Sequence, residues 1–226
     1  MKYKALLLDI DNTLYDYNSA HNKAKNSVIE YCKSRFNIDA WTIEEAYKKA
    51  REKVHIGLKE TAASHNRLLY FQNMCEILGI NPLDEALRLD NQYWDKFIEN
   101  MVLFDGAMAL LEMYKNKICL VTDLTAYIQY RKIDKLKLKE YCRLMVTSEE
   151  AGREKPHPYM FLLGLQKLGI EASDVCMIGD NFEKDIVGAA ALNMDTIWFN
   201  HENSSVNGSY GNVKQARTFD EILKMV

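Results

Sequence analysis

The stretch LLLDIDNTLYD, which covers residues 6–16, is the starting point for interpreting the fold. The apolar run at residues 4–8 predicts a short buried strand, and Asp9 and Asp11 follow it directly. Residues two apart in an extended chain point to the same side, so these carboxylates are expected to lie close together. Aspartate after a strand can be ordinary turn chemistry or part of a functional site, and the other strand ends decide between the two.

From residue 117 onward, strand-like and helix-like segments alternate. The apolar runs that predict strands lie at 117–121, 143–146, 175–178 and 196–199, with predicted helices at 125–137, 157–168 and 183–192. This alternation is typical of βαβ units, so we predict an α/β fold with a Rossmann-like parallel sheet flanked by helices. Residues 200–213 predict a loop, and Thr218 with Glu221 has the spacing of a capping box that starts a last helix.

Residues 16–100 contain no strand-like run. Their amphipathic pattern predicts helices at 20–36, 42–56, 60–78 and 83–99. Thr42 with Glu45 has capping-box spacing, and Asn81-Pro82 predicts a cap followed by proline at the first helical position. We therefore predict two domains: an α/β core made of residues 1–15 and 101–226, and an inserted all-helical domain at 16–100.

Composition narrows the class of protein. The chain has 226 residues and a formal net charge of −3, which gives no electrostatic case for binding nucleic acid or an acidic membrane surface. No apolar run is long enough to span a bilayer, and the apolar start is too short for a secretory signal. The five cysteines are widely spaced without a CxxC pair, which favours a reduced, cytoplasmic setting. In that setting the glycosylation patterns at Asn203 and Asn207 carry no meaning.

The other predicted strand ends also carry polar groups. Thr122-Asp123 follows the second strand, Lys155 lies in the loop after the third, and Asp180 follows the fourth, with Asp185 five residues on. Ligands of open parallel sheets bind at the carboxyl ends of strands, so these groups are expected to meet at one edge.

This set of groups suits the chemistry of a phosphate ester. One carboxylate of the opening pair can attack phosphorus, while the other handles protons. Several carboxylates would repel a phosphate, so the site needs positive charge. Lys155 supplies one charge, and a hard cation held by oxygens, Mg²⁺, supplies the rest. The Thr122 hydroxyl can donate a hydrogen bond to a phosphoryl oxygen.

With these motifs in place, the sequence resembles the haloacid dehalogenase superfamily of phosphohydrolases. The family's opening Asp-x-Asp-x-Thr is matched by DIDNT at residues 9–13, and its strand-end Ser/Thr by Thr122. Its lysine is matched by Lys155, and its Gly-Asp with a further Asp by GDNFEKD at 179–185. The helical insert resembles the family's α-helical cap domain.

The resemblance implies a role for each matched residue. Asp9 would be the nucleophile, and Asp11 the general acid and then the general base. Asp180 would ligate Mg²⁺ together with the Asp9 carboxylate and the Asp11 backbone carbonyl. Thr122 and Lys155 would bind the phosphoryl group.

The outer residues of the motifs have implied roles as well. Asp185 would order a metal-bound water or Lys155, and Thr13 would hold the opening loop in shape. One position departs from the family, because Asp123-Leu124 stands where many relatives have Asn-Gly or Asn-Ser. We group Asp123 with the phosphate-binding residues, with the expectation that its charge changes how the loop meets the substrate.

These implications predict a Mg²⁺-dependent phosphatase of a small-molecule phosphate ester. A haloacid dehalogenase would share the fold, but it has no leaving alkoxide to protonate, and that branch lacks the second aspartate. A sugar phosphomutase of the same superfamily and a non-catalytic protein that binds a phosphate ligand on this fold both stay open as alternatives. The sequence carries no signal for the oligomeric state.

The helical insert is expected to choose the substrate. It is rich in aromatic residues, most of which we expect in its core. Tyr15 and Tyr17 follow the opening loop closely enough to reach a leaving group. Stacking on a base makes a nucleoside monophosphate our first expectation, ahead of a sugar phosphate or phosphoglycolate. His55 and His65 have no partner at metal-ligand spacing and are expected to be structural or exposed.

Overall fold

A computed structural model describes residues 1–205 and 213–226. The chain divides into two compact units, Met1–Asp16 with Val102–Val226, and Tyr17–Met101. These bounds lie one residue beyond those predicted for the α/β core and the helical insert. Half of the predicted loop at 200–213, including the Asn207 glycosylation pattern, lies outside the described residues.

The first unit is built on six parallel strands in the order β3-β2-β1-β4-β5-β6. The strands are β1 Ala5–Leu8, β2 Ile118–Thr122, β3 Leu144–Thr147, β4 Val175–Gly179, β5 Asp195–Phe199 and β6 Lys214–Ala216. The helices of this unit are α5 Ala107–Met113, α6 Ala126–Lys135, α7 Ser148–Ala151, α8 Pro158–Leu168, α9 Gly188–Ala190 and α10 Phe219–Met225. The predicted α/β fold with a Rossmann-like parallel sheet is confirmed.

The central strands are buried along their whole length. β1 and its neighbours β2 and β4 consist almost entirely of apolar residues, because helices cover both faces of a parallel sheet. One face packs on α8 through Leu7, Val121 and Phe161. Cys119 and Cys176 lie in these strands as buried apolar side chains, and all five cysteines are buried and unpaired.

Several predicted elements of this unit need correction. The strand β6, with sequence KQA, and the helices α5 and α7 were not predicted. β6 and α7 lack an apolar run, and α5, with sequence AMALLEM, is too short to show a helical period. The single helix predicted at 183–192 is a π-helical segment, Phe182–Val187, that continues into α9. The Thr218 cap is confirmed, since its hydroxyl accepts from the Glu221 N–H at 3.3 Å.

The second unit is entirely helical, with α1 Tyr17–Phe36, α2 Ala40–Gly57, α3 Arg67–Leu78 and α4 Pro82–Glu99. α3 packs against α2 and α4, and α4 also packs against α1. Asn81 caps α4 ahead of Pro82 as predicted. No helix in the described ranges is both long enough and apolar enough to cross a bilayer.

Two helix starts of this unit differ from the predictions. α2 begins at Ala40, and Asp39 caps it by accepting from the Thr42 N–H at 3.0 Å, so the predicted cap at Thr42 is wrong. Asp39 is in an extended conformation, and its side chain accepts from an N–H in the first turn that has no partner within the helix. The single helix predicted at 60–78 is broken, because Asn66 adopts an extended conformation and caps α3 after a short 3₁₀ turn at Ala62–His65.

The aromatic residues of the helical unit mostly form its core, as predicted. Tyr70, Phe71, Tyr93, Trp94 and Phe97 are all buried. Trp41 is the exception and is 72% exposed. His55 and His65 pack edge to face with ring centroids 4.9 Å apart, and the His55 Nε2 lies 2.7 Å from the Tyr70 hydroxyl, which supports a structural role.

Candidate functional site

The loop after β1 places Asp9 at the carboxyl edge of the sheet. Asp9 is buried, and its Oδ2 accepts a hydrogen bond from the Thr13 hydroxyl at 2.9 Å. The chain turns back here because Asn12 adopts a left-handed conformation, with φ 60°, that asparagine tolerates better than most residues. Asn12 then donates from Nδ2 to Asp180 at 2.9 Å, which ties the loop to the end of β4.

Lys155 joins three of the predicted groups. Its ammonium donates to Asp9 Oδ1 at 2.6 Å, to Asp185 Oδ1 at 2.7 Å and to the Val121 carbonyl at 3.0 Å. All three donors of the ammonium are therefore used, and the side chain is buried. The charges of Asp185 and Asp9 outweigh burial and raise the pKa of Lys155 well above its usual value, so it stays protonated.

Asp180 and Asp185 complete a cluster of carboxylates around Asp9. One oxygen from each of the three lies within 4.8 Å of the others, a spacing that can hold a metal ion. Thr13 links the two strand ends, because its hydroxyl accepts from the Asp180 N–H at 3.0 Å. Gly179 is required here, since a Cβ at this position would lie 2.2 Å from Asp185 Oδ2.

The electrostatics of this cluster favour a cation. Burial, with the neighbouring carboxylates, raises the pKa of Asp9 to about 7 even though Lys155 opposes the shift. Burial and the charge of Asp9 likewise raise the pKa of Asp180 to about 6, and burial raises that of Asp185 to about 6. One lysine thus neutralises only part of the negative charge, and carboxylate oxygens are the ligands that Mg²⁺ prefers. The residues present fit such an ion.

Asp11 lies in a separate cluster of its own. Its carboxylate oxygens lie 2.5 and 2.8 Å from the ammonium of Lys132 and accept from Gln129 Nε2 at 2.9 Å and from the Tyr15 hydroxyl. Burial acts to raise the pKa of Asp11, but the charge of Lys132 and these hydrogen bonds outweigh it and lower the pKa. Asp11 is therefore held as a carboxylate.

The sequence analysis missed Lys132 and Gln129, both of which are fully buried on α6. A signal for them exists: they occupy positions beside Ile128 and Ile133 on the buried face of this helix, where apolar residues are expected. The prediction that Tyr15 reaches a leaving group is wrong, because Tyr15 is fully buried and its hydroxyl is committed to Asp11. The tyrosine instead orients that carboxylate.

Thr122 ends β2 beside this second cluster. Its hydroxyl accepts from Gln129 Nε2 at 2.8 Å, and it donates only over a long 3.3 Å contact to the Asp123 carbonyl. Since a better acceptor would readily displace that contact, the hydroxyl hydrogen is available to a phosphoryl oxygen. Gln129 therefore couples the orientation of Thr122 to that of Asp11.

Asp123 is held by groups of its own unit. Its Oδ1 accepts from the Lys155 N–H at 3.0 Å, and its Oδ2 accepts from the Lys184 ammonium at 2.7 Å. The carboxylate therefore anchors the loop that carries Lys155. A direct contact of Asp123 with the substrate stays a prediction.

Leu124, the second residue that departs from the family pattern, has an unusual backbone conformation. Leu124 adopts φ 91°, a region in which a side chain costs roughly 1–2 kcal/mol. The Ser148 hydroxyl holds it there by accepting from the Leu124 N–H at 2.9 Å and donating to its carbonyl at 3.3 Å. The substitution of leucine for the usual glycine or serine is thus supported by a residue at the start of α7.

Replacing Lys132 with methionine is expected to lower kcat by roughly 10- to 100-fold, the usual effect of removing a group that orients a reacting residue. The Asp11 carboxylate would lose its countercharge, so the acid limb of the kcat–pH profile should move to higher pH. The matched control is Lys135→Met, the same change at an exposed position one turn along α6. An unchanged rate and pH profile in Lys132→Met, with fold verified by circular dichroism, would contradict this role.

Known proteins resemble this chain in sequence and in fold. The model of a family described as haloacid dehalogenase-like hydrolase matches residues 3–193. The ribulose-1,5-bisphosphate 5-phosphatase of Halopiger xanaduensis is 37% identical over 206 residues, which cover 89% of this chain and 86% of the relative. The pyrimidine 5'-nucleotidase YjjG of Escherichia coli is 25% identical, covering 88% of this chain and 87% of the relative.

A solved structure shares the fold. The HAD-hydrolase YfnB of Bacillus subtilis, bound to magnesium, superposes with a TM-score of 0.72 and 20% identity, over 100% of this chain and 99% of that one.

Proposed function

Because the chain belongs to the haloacid dehalogenase-like hydrolases, we propose that it is a Mg²⁺-dependent phosphatase that hydrolyses small phosphate monoesters through a phosphorylated Asp9. The family and the curated relatives make it a phosphoric monoester hydrolase. The observation that supports a Mg²⁺-dependent mechanism through phosphorylated Asp9 is the buried Asp9 carboxylate. It lies 2.6 Å from the Lys155 ammonium and beside Asp180 and Asp185. The predicted cytoplasmic location stays a prediction.

In the first step an oxygen of Asp9 attacks phosphorus, and the bond from phosphorus to the ester oxygen breaks. Asp11 gives a proton to that leaving oxygen. Lys155 and the Thr122 hydroxyl stabilise the charge on the phosphoryl oxygens. Because Lys132 holds Asp11 ionised, Asp11 must first take up a proton from solvent, which requires the pair to loosen when the substrate brings its own negative charge.

In the second step water attacks the phosphorus of phosphoryl-Asp9, and Asp11 accepts a proton from that water. The bond between phosphorus and the Asp9 oxygen breaks, which releases inorganic phosphate and restores the carboxylate. The ionised Asp11 held by Lys132, Gln129 and Tyr15 is the form that this step needs.

The carboxylates of Asp9 and Asp180 would hold Mg²⁺, with the backbone carbonyl of Asp11 as a further ligand. Asp185 would act from outside this set, through its hydrogen bonds to Lys155 and to the Asn181 N–H. When bound, the ion offsets the charge of the carboxylates and of the phosphoryl oxygens. Carboxyl groups whose pKa values burial has raised support such an ion.

The aromatic residues of the helical unit give less support for a nucleobase-containing substrate than the sequence suggested. Most aromatic side chains of the helical unit are buried in its core, which removes the main ground for preferring a nucleobase. We therefore propose sugar phosphates as the first class and nucleoside monophosphates as the second. Both classes occur among the relatives.

The test is phosphate release with Mg²⁺ from a panel of sugar mono- and bisphosphates, nucleoside monophosphates, phosphoglycolate and p-nitrophenyl phosphate. We expect turnover of at least one natural ester. Net isomerisation of a sugar phosphate that needs a bisphosphate primer would indicate a phosphomutase instead. Binding of esters without any phosphate release would indicate a non-catalytic protein and contradict the proposal.

A further inference from the structure

The helical unit contains a pocket of about 470 Å³ that belongs to that unit alone. Its walls come from α1, α2 and the first residue of α3. Two of the lining residues carry buried polar groups that lack, among the described residues, the partners such groups usually have. They are the guanidinium of Arg67 and the hydroxyl of Tyr47.

Arg67 is a buried cation, only 7% exposed, whose contacts are all neutral. It donates from Nη2 to the Tyr17 hydroxyl at 2.5 Å, from Nη1 to the His65 carbonyl at 2.9 Å, and from Nε to the Tyr93 hydroxyl at 3.5 Å. No ion pair joins it to a carboxylate within residues 1–205 and 213–226. A guanidinium has five N–H donors, so these contacts leave donors for a further acceptor.

Burying an unpaired charge is costly, and the neighbouring rings offset only part of that cost. The guanidinium lies 4.9 Å from the centre of the Tyr70 ring, a favourable cation–π arrangement. A buried cation left without a countercharge is strongly destabilising, so Arg67 favours an anionic partner. The structure thus holds a positive charge in place without its counterion.

Tyr47 provides a second, independent observation. Its side chain is 8% exposed, and its hydroxyl is buried without a hydrogen-bond partner in the described part of the chain. Buried hydroxyl groups nearly always have a partner, and one that lines a pocket is satisfied when a ligand supplies it. Arg67 and Tyr47 both line this pocket, and a guanidinium fork beside a hydroxyl donor suits an oxyanion.

The charges of the pocket favour the same ligand. Besides Arg67 it is lined by Lys25, Lys48 and Arg51, against two carboxylates, Glu44 and Glu45. Glu44 is already paired with Lys25 at 3.1 Å. The remaining excess of two positive charges matches a dianion. His21 responds to this field, because burial, followed by the charges of Arg67, Lys25 and Arg51, lowers its pKa to about 4.

We propose that this pocket binds a phosphate group. The group belongs to a phosphorylated ligand that the helical unit binds by itself, separate from the ester hydrolysed at Asp9. Phosphate fits better than a carboxylate because it carries two charges and more acceptor oxygens, which the arginine fork, the tyrosine hydroxyl and the excess positive charge can satisfy together.

The first experiment tests the pocket independently of catalysis. Inorganic phosphate is titrated into the Asp9→Asn variant, and the Nε–Hε resonance of Arg67 is followed by NMR after assignment through Arg67→Lys. We expect a saturable shift. Tyr47→Phe should raise the apparent Kd of phosphate by roughly tenfold, the usual effect of losing one hydrogen bond to a charged group. Tyr47→Phe removes a hydroxyl without a partner, so folding should not suffer. No saturable shift would overturn the proposal.

The second experiment tests the charge of the pocket. The same phosphate titration is repeated in Arg51→Gln, which removes a lining charge, and in Lys49→Gln, an exposed position of α2 outside the pocket that serves as the matched control. Arg51→Gln should raise the apparent Kd of phosphate by roughly tenfold, whereas Lys49→Gln should leave it unchanged. Equal affinities in the two variants would overturn the proposal.

The two proposals can fail separately. A wild type that releases no phosphate from any ester, yet shows the Arg67 shift, would reject the phosphatase and retain the pocket. An active phosphatase whose Arg67 resonance ignores phosphate would reject the pocket and retain the phosphatase.

Discussion

Replacing Asp9 with asparagine is expected to lower phosphate release by roughly 10⁴-fold or more, as for other enzymes that lose their nucleophile. An amide cannot form the bond to phosphorus that the mechanism requires. The fold should persist, since asparagine has the same shape and Lys155 keeps its contacts with Asp185 and the Val121 carbonyl. The measurement is steady-state phosphate release with Mg²⁺, with circular dichroism to verify folding.

The matched control for this variant is Asp174→Asn, which makes the same change just before β4, at the opposite end of that strand. There the carboxylate pairs with Lys4 at 2.7 Å on the surface, so activity should not change. If Asp9→Asn kept more than a trace of activity while Asp174→Asn behaved like the wild type, Asp9 would not be the nucleophile.

Removal of divalent metal is expected to have an effect of similar size. EDTA should abolish phosphate release, and Mg²⁺ should restore it, because one lysine does not balance the carboxylates of Asp9, Asp180 and Asp185. Ca²⁺ should inhibit, since it takes more ligands in a looser geometry. The measurement is activity against added metal after chelation.

Asp180→Asn refines the metal prediction, because it removes one charge from the cluster. We expect it to raise the Mg²⁺ concentration needed for half-maximal activity, while circular dichroism stays that of the wild type. Full activity in EDTA, or a metal requirement that Asp180→Asn leaves unchanged, would rule out this site as the metal centre.

The sequence was sufficient to predict five of the six strands and the edge of the sheet at which the motif residues meet. The strands that carry site residues are buried on both faces, so they appear as apolar runs that stand out from the helices. Every motif residue then follows the carboxyl end of such a strand, where parallel topology brings the ends together. Asp9, Lys155 and Asp185 meet for that reason, although 146 positions separate Asp9 from Lys155.

The residues around Asp11 could not be predicted in the same way. Lys132 and Gln129 lie in the middle of a helix, 121 and 118 positions from Asp11, and no motif marks them. Their contact with Asp11 depends on the rotation of α6 about its axis, which the strand pattern does not determine. A buried lysine on the apolar face of a helix was the available signal.

Two wrong predictions, for the helix at 60–78 and for Tyr15, have causes in the hydrogen bonds of single side chains. At residues 60–78 the helical pattern was continuous, but Asn66 used its side chain to cap α3, because asparagine competes well for the first orphan N–H groups. At Tyr15 proximity in sequence suggested a substrate contact, whereas burial turned the hydroxyl toward Asp11.

The most direct test of the central claim is to trap phosphoryl-Asp9 in the Asp11→Asn variant. The leaving group of p-nitrophenyl phosphate hardly needs a proton, so the first step should proceed and the second should slow. Rapid quenching should show a burst of nitrophenol, and intact-protein mass spectrometry should show one added phosphoryl group, which peptide mapping places on Asp9. A folded variant with neither burst nor phosphoryl group, or with the group on another residue, would contradict the account.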